Sequence, residues 1–421
     1  MTNEDERTEL DSKKDPPRVN RRTVLRTGAA LGAASMIPLS ASPAAAIPLT
    51  SPGFGLGDIG WQTVDIEDAI PEVMDADGRR QGAPYYEIEI TPETHDHFEY
   101  FEDSDFEDSK PDPTPIWGYE GQYPGRTIEA RVNQRIKVNF VNELPQSHLL
   151  PVDTQVHGTQ LSDYTDRYPD WASQFEGPNA LDFPEVRTST HAHGLHVESA
   201  SDGLPEQWAS PDGITGPQYV KDVYDYPNRQ DEATLWYHDH ALGITRLNVY
   251  AGLAGFYLLR DPMENALPSE QYEIPILFQD RAFNEDGSYQ YPSDFEAEVS
   301  GDVSVVNGLA WPTFQVDPAQ YRFRMLNGSN GRFFNLRLES DGESTPTMYQ
   351  IGTDLGFLQE VVPIGPGQDT DSLLLGPAER ADVLVMTPEK ADSATRKHDS
   401  RRYEFITDVD CCIIDEVHLL D

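Results

Sequence analysis

The chain has 421 residues, with 73 Asp plus Glu against 31 Lys plus Arg and a formal charge of −42. That length allows two or three domains of about 100–200 residues each, and the charge argues against nucleic acid or an anionic membrane surface as partner. Hydrophobic residues make up 38%, too many for a disordered chain.

A polar N-terminal stretch ends in Arg21-Arg22-Thr23-Val24-Leu25-Arg26, and an uncharged run from Thr27 to Ala46 closes on Ala44-Ala45-Ala46. This is the order of an export signal with a small-residue cleavage site. The paired arginines point to the twin-arginine route, which carries proteins already folded. Residues 1–46 therefore read as a signal peptide rather than a membrane anchor, and the mature protein is expected to be secreted. No Cys follows the run, so no lipid anchor is implied. The two cysteines, Cys411 and Cys412, are adjacent and near the end. Neighbouring cysteines rarely bond to each other, so no disulfide framework is expected.

From about residue 85 the pattern is β. Tyr85 to Ile90, Thr127 to Val132 and Arg135 to Val141 read as strands. Later, Tyr321, Phe323 and Met325 alternate with Arg322 and Arg324, which predicts a half-buried strand. With 33 Pro and 31 Gly punctuating short strands, the fold class is all-β, as sandwiches or barrels. Seams fall at 261–265 and after Met386, dividing the chain into 47–262, 263–390 and an atypical tail, 391–421. Residues 93–113 form an acidic insertion, expected to be a solvated loop. The turn-rich stretch from His148 to Val186 is expected to cover the barrel.

The histidines are unevenly placed. Thr190-His191-Ala192-His193-Gly194-Leu195-His196 is one cluster and Trp236-Tyr237-His238-Asp239-His240 the other, and none lies between His240 and His398. On a strand, residues i and i+2 share a face, so each H-x-H presents two imidazoles side by side. Two such strands facing each other would bring four neutral nitrogens to one site. Imidazole ligation without thiolate suits copper, zinc, nickel or iron. His196 falls outside the pair and is expected near the site or facing solvent. His95-Asp96-His97 lies in the acidic insertion and reads as surface. Trp236 and Tyr237 read as packing residues.

These motifs resemble the first two copper motifs of the multicopper oxidases, especially spore-coat laccases and bilirubin-oxidase-like enzymes. Further segments match: Trp117-Gly118-Tyr119, Tyr123 to Ile128, Thr245 to Gly255, Tyr321 to Arg324 and Gly376 to Val383. The resemblance covers roughly residues 84 to 387. It implies tandem cupredoxin-like Greek-key β-barrels. It also implies that His191 binds type 2 copper, and that His193, His238 and His240 bind the type 3 pair. Asp202 then matches an acidic residue that supplies protons as dioxygen is reduced to water. The implied partners are dioxygen and a reducing small molecule, a phenol or pigment. The scattered acidic excess resembles the surfaces of proteins from extreme halophiles.

By the same resemblance a third cupredoxin domain would hold the other four trinuclear histidines and a type 1 site of Cys, two His and a weak axial Met. The chain has no His-Cys-His and no H-x-x-H-x-H, so the type 1 ligands are absent from it and the chain is expected to be a truncated form. Two other classes compete. An exported, non-catalytic cupredoxin-like protein is the alternative, but such relatives have lost the copper histidines that this chain keeps. A zinc hydrolase would need further ligands downstream, and the stretch from 241 to 397 lacks the histidines. Neither the reducing substrate nor the oligomeric state is legible.

Overall fold

In a computed structural model the described strands run from Ile47–Pro48, which pairs in parallel with Val299–Ser300, to Arg380–Met386. The structure describes residues 47–48, 69–98, 112–339 (except Ala297, Thr313, Gln315 and Pro318) and 345–386. The signal-like run, the tail with Cys411, Cys412 and His418, and most of the acidic insertion therefore lie outside the described residues. The described residues belong to one compact unit.

Nine strands lie between that first short strand and Asp261: β1 (Gly78–Arg80), β2 (Ala83–His95), β3 (Thr114–Tyr119), β4 (Gly125–Arg131), β5 (Ile136–Asn142), β6 (Thr190–His193), β7 (Val223–Tyr226), β8 (Ala233–Asp239) and β9 (Ala254–Arg260). They form two sheets. One runs β1-β2-β5-β7 with β3 also on β2, and the other runs β4-β9-β8-β6. Alternating apolar residues of both, among them Ile88, Ile90, Val138, Leu235 and Tyr237, meet in one core. The stretch from His148 to Val186 carries two one-turn helices, α1 (Ser162–Thr165) and α2 (Pro169–Ala172). There Tyr164, Trp171 and Phe183 pack on Trp208, and the fully buried Arg187 lies over Phe183 and Trp208. The expected covering loop is thus apolar on its inner side.

The chain then turns through a 3₁₀ helix, Pro262–Ala266, capped by Asp261 in a capping box with Glu264. Besides the short Val299–Ser300, nine further strands follow: β10 (Glu273–Arg281), β11 (Val303–Val306), β12 (Leu309–Ala310), β13 (Gln320–Asn327), β14 (Phe334–Leu336), β15 (Met348–Thr353), β16 (Gly356–Ile364), β17 (Leu373–Leu375) and β18 (Arg380–Met386). Seven make one sheet, β12-β11-β10-β13-β18-β15-β16, and β14 pairs with β17. The all-β class is therefore realised. Among the described residues the longest helix, α3 (Thr245–Ala251), has seven residues, and none is long and apolar enough to cross a membrane.

Two expectations are corrected. β13 is not half-buried. Arg322 and Arg324 are each 1% exposed, because the face they occupy is covered by the strands before Asp261. Their charges are met by Glu264, Glu273 and Asp382, as buried cations require. Nor is His95-Asp96-His97 a surface motif. His97 is 1% exposed, and the Gly308 carbonyl oxygen lies 2.8 Å from His95 Nε2 and 2.7 Å from His97 Nδ1. The other nitrogen of His97 bonds the Tyr289 hydroxyl. The pair fastens the end of β2 to the β11–β12 turn. It sits in an acidic sequence, but the following Phe98 is buried too.

Candidate metal centre

β6 and β8 are antiparallel neighbours, with His191 directly opposite His238 and His193 opposite Trp236. Cross-strand and diagonal neighbours on one face of a sheet are within side-chain reach. The strands thus deliver the convergence that the spacing predicts. Ring centroids are 5.5 Å apart for His191–His193, 5.6 Å for His191–His238, 5.4 Å for His191–His240, 5.4 Å for His193–His238 and 5.7 Å for His238–His240. His196 is exposed.

The hydrogen bonds fix which nitrogens are free. His191 Nδ1 is 2.6 Å from the backbone oxygen of Asp202, and His238 Nδ1 is 2.7 Å from that of Asp239. A carbonyl only accepts, so both protons sit on Nδ1 and the Nε2 lone pairs are left for a ligand. His238 Nε2 lies 3.2 Å from His193 Nδ1. Two nitrogens bound to one tetrahedral ion at about 2.0–2.1 Å would be roughly 3.3 Å apart. His240 Nδ1 is buried with no hydrogen-bond partner. These nitrogens fit a metal that favours imidazole. Among the described residues no three His, Cys, Asp or Glu side chains are placed to hold one ion alone, so each ion would need ligands from elsewhere.

Burial favours the neutral form of three of these imidazoles, His193, His238 and His240. It pushes the His193 pKa down to about 4, with help from the nearby Arg380 charge. It also depresses His238 strongly, and His240. Uncharged rings are the form that binds metal.

Asp202 is brought to the site. Beyond the backbone contact, its carboxylate lies 3.3 Å from His191 Nδ1 and its side chain is 27% exposed, bridging site and solvent. Gly203 makes this approach possible. It adopts a φ of +65°, and a Cβ there would lie 2.0 Å from the Thr190 carbonyl oxygen.

Three contributors escaped the sequence reading. Asp239, which ends β8 between His238 and His240, points to the opposite face and is fully buried. It accepts from the Ser189 and Ala241 backbone N–H groups and from the Asn248 side chain. Burial raises its pKa to about 7. An Asp in a run whose seven residues are all buried was the available signal, since such a carboxylate must be bonded. Asn248, in α3, also donates to the Arg187 carbonyl. Arg380, in β18, reaches across to β8 and donates to the Thr234 carbonyl. Trp236 is buried packing, stacked on His238 at 4.0 Å, and Tyr237 donates to the Arg126 carbonyl.

A multicopper oxidase family model matches residues 102–169 and 177–264, which span both histidine strands. A laccase of Haloferax volcanii is 43% identical over 372 residues, 87% of this chain and 58% of its own length. The chain belongs to the multicopper oxidase family. A laccase of Bacillus subtilis is 42% identical over 288 residues, 65% of this chain and 51% of its own length. A laccase structure from Pediococcus acidilactici is similar over 82% of this chain and 59% of its own, with TM-score 0.57 and 25% identity. The chain thus spans 51–58% of the length of these curated laccases. Copper is the metal of multicopper oxidases, and the imidazole set described above suits it.

Proposed function

We propose that this chain is the dioxygen-side copper-holding part of a laccase- or bilirubin-oxidase-type enzyme. Such an enzyme takes single electrons from a phenol or pigment and reduces dioxygen to water. The observation that carries the reading is the four-imidazole cluster, with neighbouring ring centroids 5.4–5.7 Å apart. On this reading His191 holds the type 2 copper, and His193, His238 and His240 hold the type 3 pair. Ligands for the remaining positions, and the type 1 site, belong to a further cupredoxin domain such as the longer relatives have room for.

Bound copper supplies one-electron chemistry toward dioxygen. The chain's own residues do the rest. Asp202 is part-exposed and within 3.3 Å of His191 Nδ1, so its carboxylate can take a proton from solvent and present it beside the metal. The Asp202 and Asp239 carbonyls hold the His191 and His238 rings in one tautomer. Trp236, stacked on His238, keeps water from one side of the ring. The paired arginines at 21–22 support export by the twin-arginine route to the cell exterior, and the charge of −42 supports a halophilic setting. The non-catalytic alternative is disfavoured by the retained ligand nitrogens.

Copper titration by calorimetry near neutral pH tests the assignment. Replacing His193 and His238 together by Ala should abolish stoichiometric binding, while His196→Ala should leave it intact. Equal binding by parent and double variant would overturn the site.

A further inference from the structure

The strands after Asp261 contribute no histidine, yet they touch the histidine strand. Thr234 lies on the same face of β8 as Trp236 and His238, and two arginines from across the junction grip it. Arg324 donates to its hydroxyl at 2.8 Å and Arg380 donates through Nε to its carbonyl at 3.1 Å. The Arg380 fork is otherwise spent on the Ala378 and Asp354 carbonyls. Its side chain is 2% exposed, and its ion-pair partner, Asp354 at 3.1 Å, is 45% exposed, with the neighbouring Glu379 charge as a lesser offset. Next to His193, Gly194 has φ +90°, and a Cβ there would stand 3.0 Å from an Arg380 terminal nitrogen. The missing side chain is what lets a guanidinium lie against the backbone beside His193.

We propose that Arg380 is a positioning residue that sets the reduction potential of copper held at His193, acting through its fixed charge. This rests on the copper reading above. A buried positive charge opposes Cu(II) more than Cu(I), because the interaction scales with the charge on the ion. Water screens little of it, since the guanidinium is enclosed, whereas the half-exposed Asp354 carboxylate is screened and offsets only part. Arg380 thus shifts bound copper toward the reduced state. Asp354 acts the other way.

Three substitutions in the full chain separate charge from packing, with the potential of bound copper measured by spectroelectrochemical titration. Arg380→Gln removes the charge and should lower the Cu(I)-to-Cu(II) affinity ratio roughly tenfold, a fall of about 59 mV for one electron. Arg380→Lys keeps the charge and loses the fork, and should stay within about threefold of the parent. Asp354→Asn removes the offsetting charge and should raise the ratio, moving the potential opposite to Arg380→Gln. A purely structural role predicts shifts of one sign, with Lys as damaging as Gln, and that pattern would overturn the proposal. So would copper-loaded variants with the parent's potential. If the parent itself binds no copper, the ligand assignment falls first and this inference with it.

Discussion

The side-chain amide of Asn248 lies 2.7 Å from the Asp239 carboxylate, and through it the seven-residue helix α3 holds the histidine strand. The same amide donates to the Arg187 carbonyl, and its oxygen faces His148 Nε2 at 2.9 Å. Three separate segments therefore converge on one side chain that touches no metal ligand.

Asn248→Leu should accordingly cost stability. It leaves the Asp239 carboxylate short of one donor and strands a buried carbonyl, at about 1–3 kcal/mol for each unsatisfied group. Urea denaturation of the metal-free chain should show a loss of roughly 2–4 kcal/mol. A change within about 0.5 kcal/mol would mean that Asp239 finds its bonds without Asn248.

Gly203→Ala should be more specific. Its Cβ would collide with the Thr190 carbonyl at 2.0 Å, so the loop bearing Asp202 must lift from β6. The His191 ring then loses the acceptor that fixes its tautomer. Calorimetry should show weakened copper binding, and melting should show a loss of at least about 2 kcal/mol. Parent-like copper affinity would separate Asp202 from the site.

His148 makes stability acid-sensitive. Burial lowers its folded pKa to about 4, against about 6.5 in the unfolded chain. The unfolded chain therefore takes up the proton first as pH falls. Stability from this group is complete above about pH 6.5 and is lost progressively down to about pH 4. The loss should be on the order of 2 kcal/mol, allowing for partial exposure of the ring. A parallel titration of His148→Gln should show a shallower decline over that interval, and identical slopes would remove His148 from the account.

The third H-x-H gives an internal control. His97→Phe severs contacts to Gly308 and Tyr289 and should destabilise the chain by about 1–3 kcal/mol. Copper stoichiometry should not change. A lost equivalent of copper would move the metal site to the wrong pair.

Much of this was legible along the chain because period-2 placement is local. His191 with His193 and His238 with His240 needed only a strand to share a face, and the flanking apolar residues announced that strand. What was hidden depends on residues far apart in sequence. Arg322 and Arg324 read as the wet side of a strand, but Asp382 and Glu264, each 60 residues from its arginine, lie beneath that side. His95 and His97 read as solvated because the surrounding sequence is acidic, and their partner is a carbonyl 213 and 211 residues away. No local pattern reports a long-range acceptor. Asp239 was the exception, since a lone carboxylate amid buried strand residues signals bonds that must exist.

The pairing of His191 opposite His238 has a kinetic meaning. A slip of one residue between β6 and β8 would turn one histidine pair toward the barrel interior. Metal uptake is thus silent until those two strands, separated by the long excursion through Val223–Tyr226, have met in a single alignment. In a refolding experiment with copper present, the moment of capture would time one tertiary event and leave closure of the rest of the barrel to other probes.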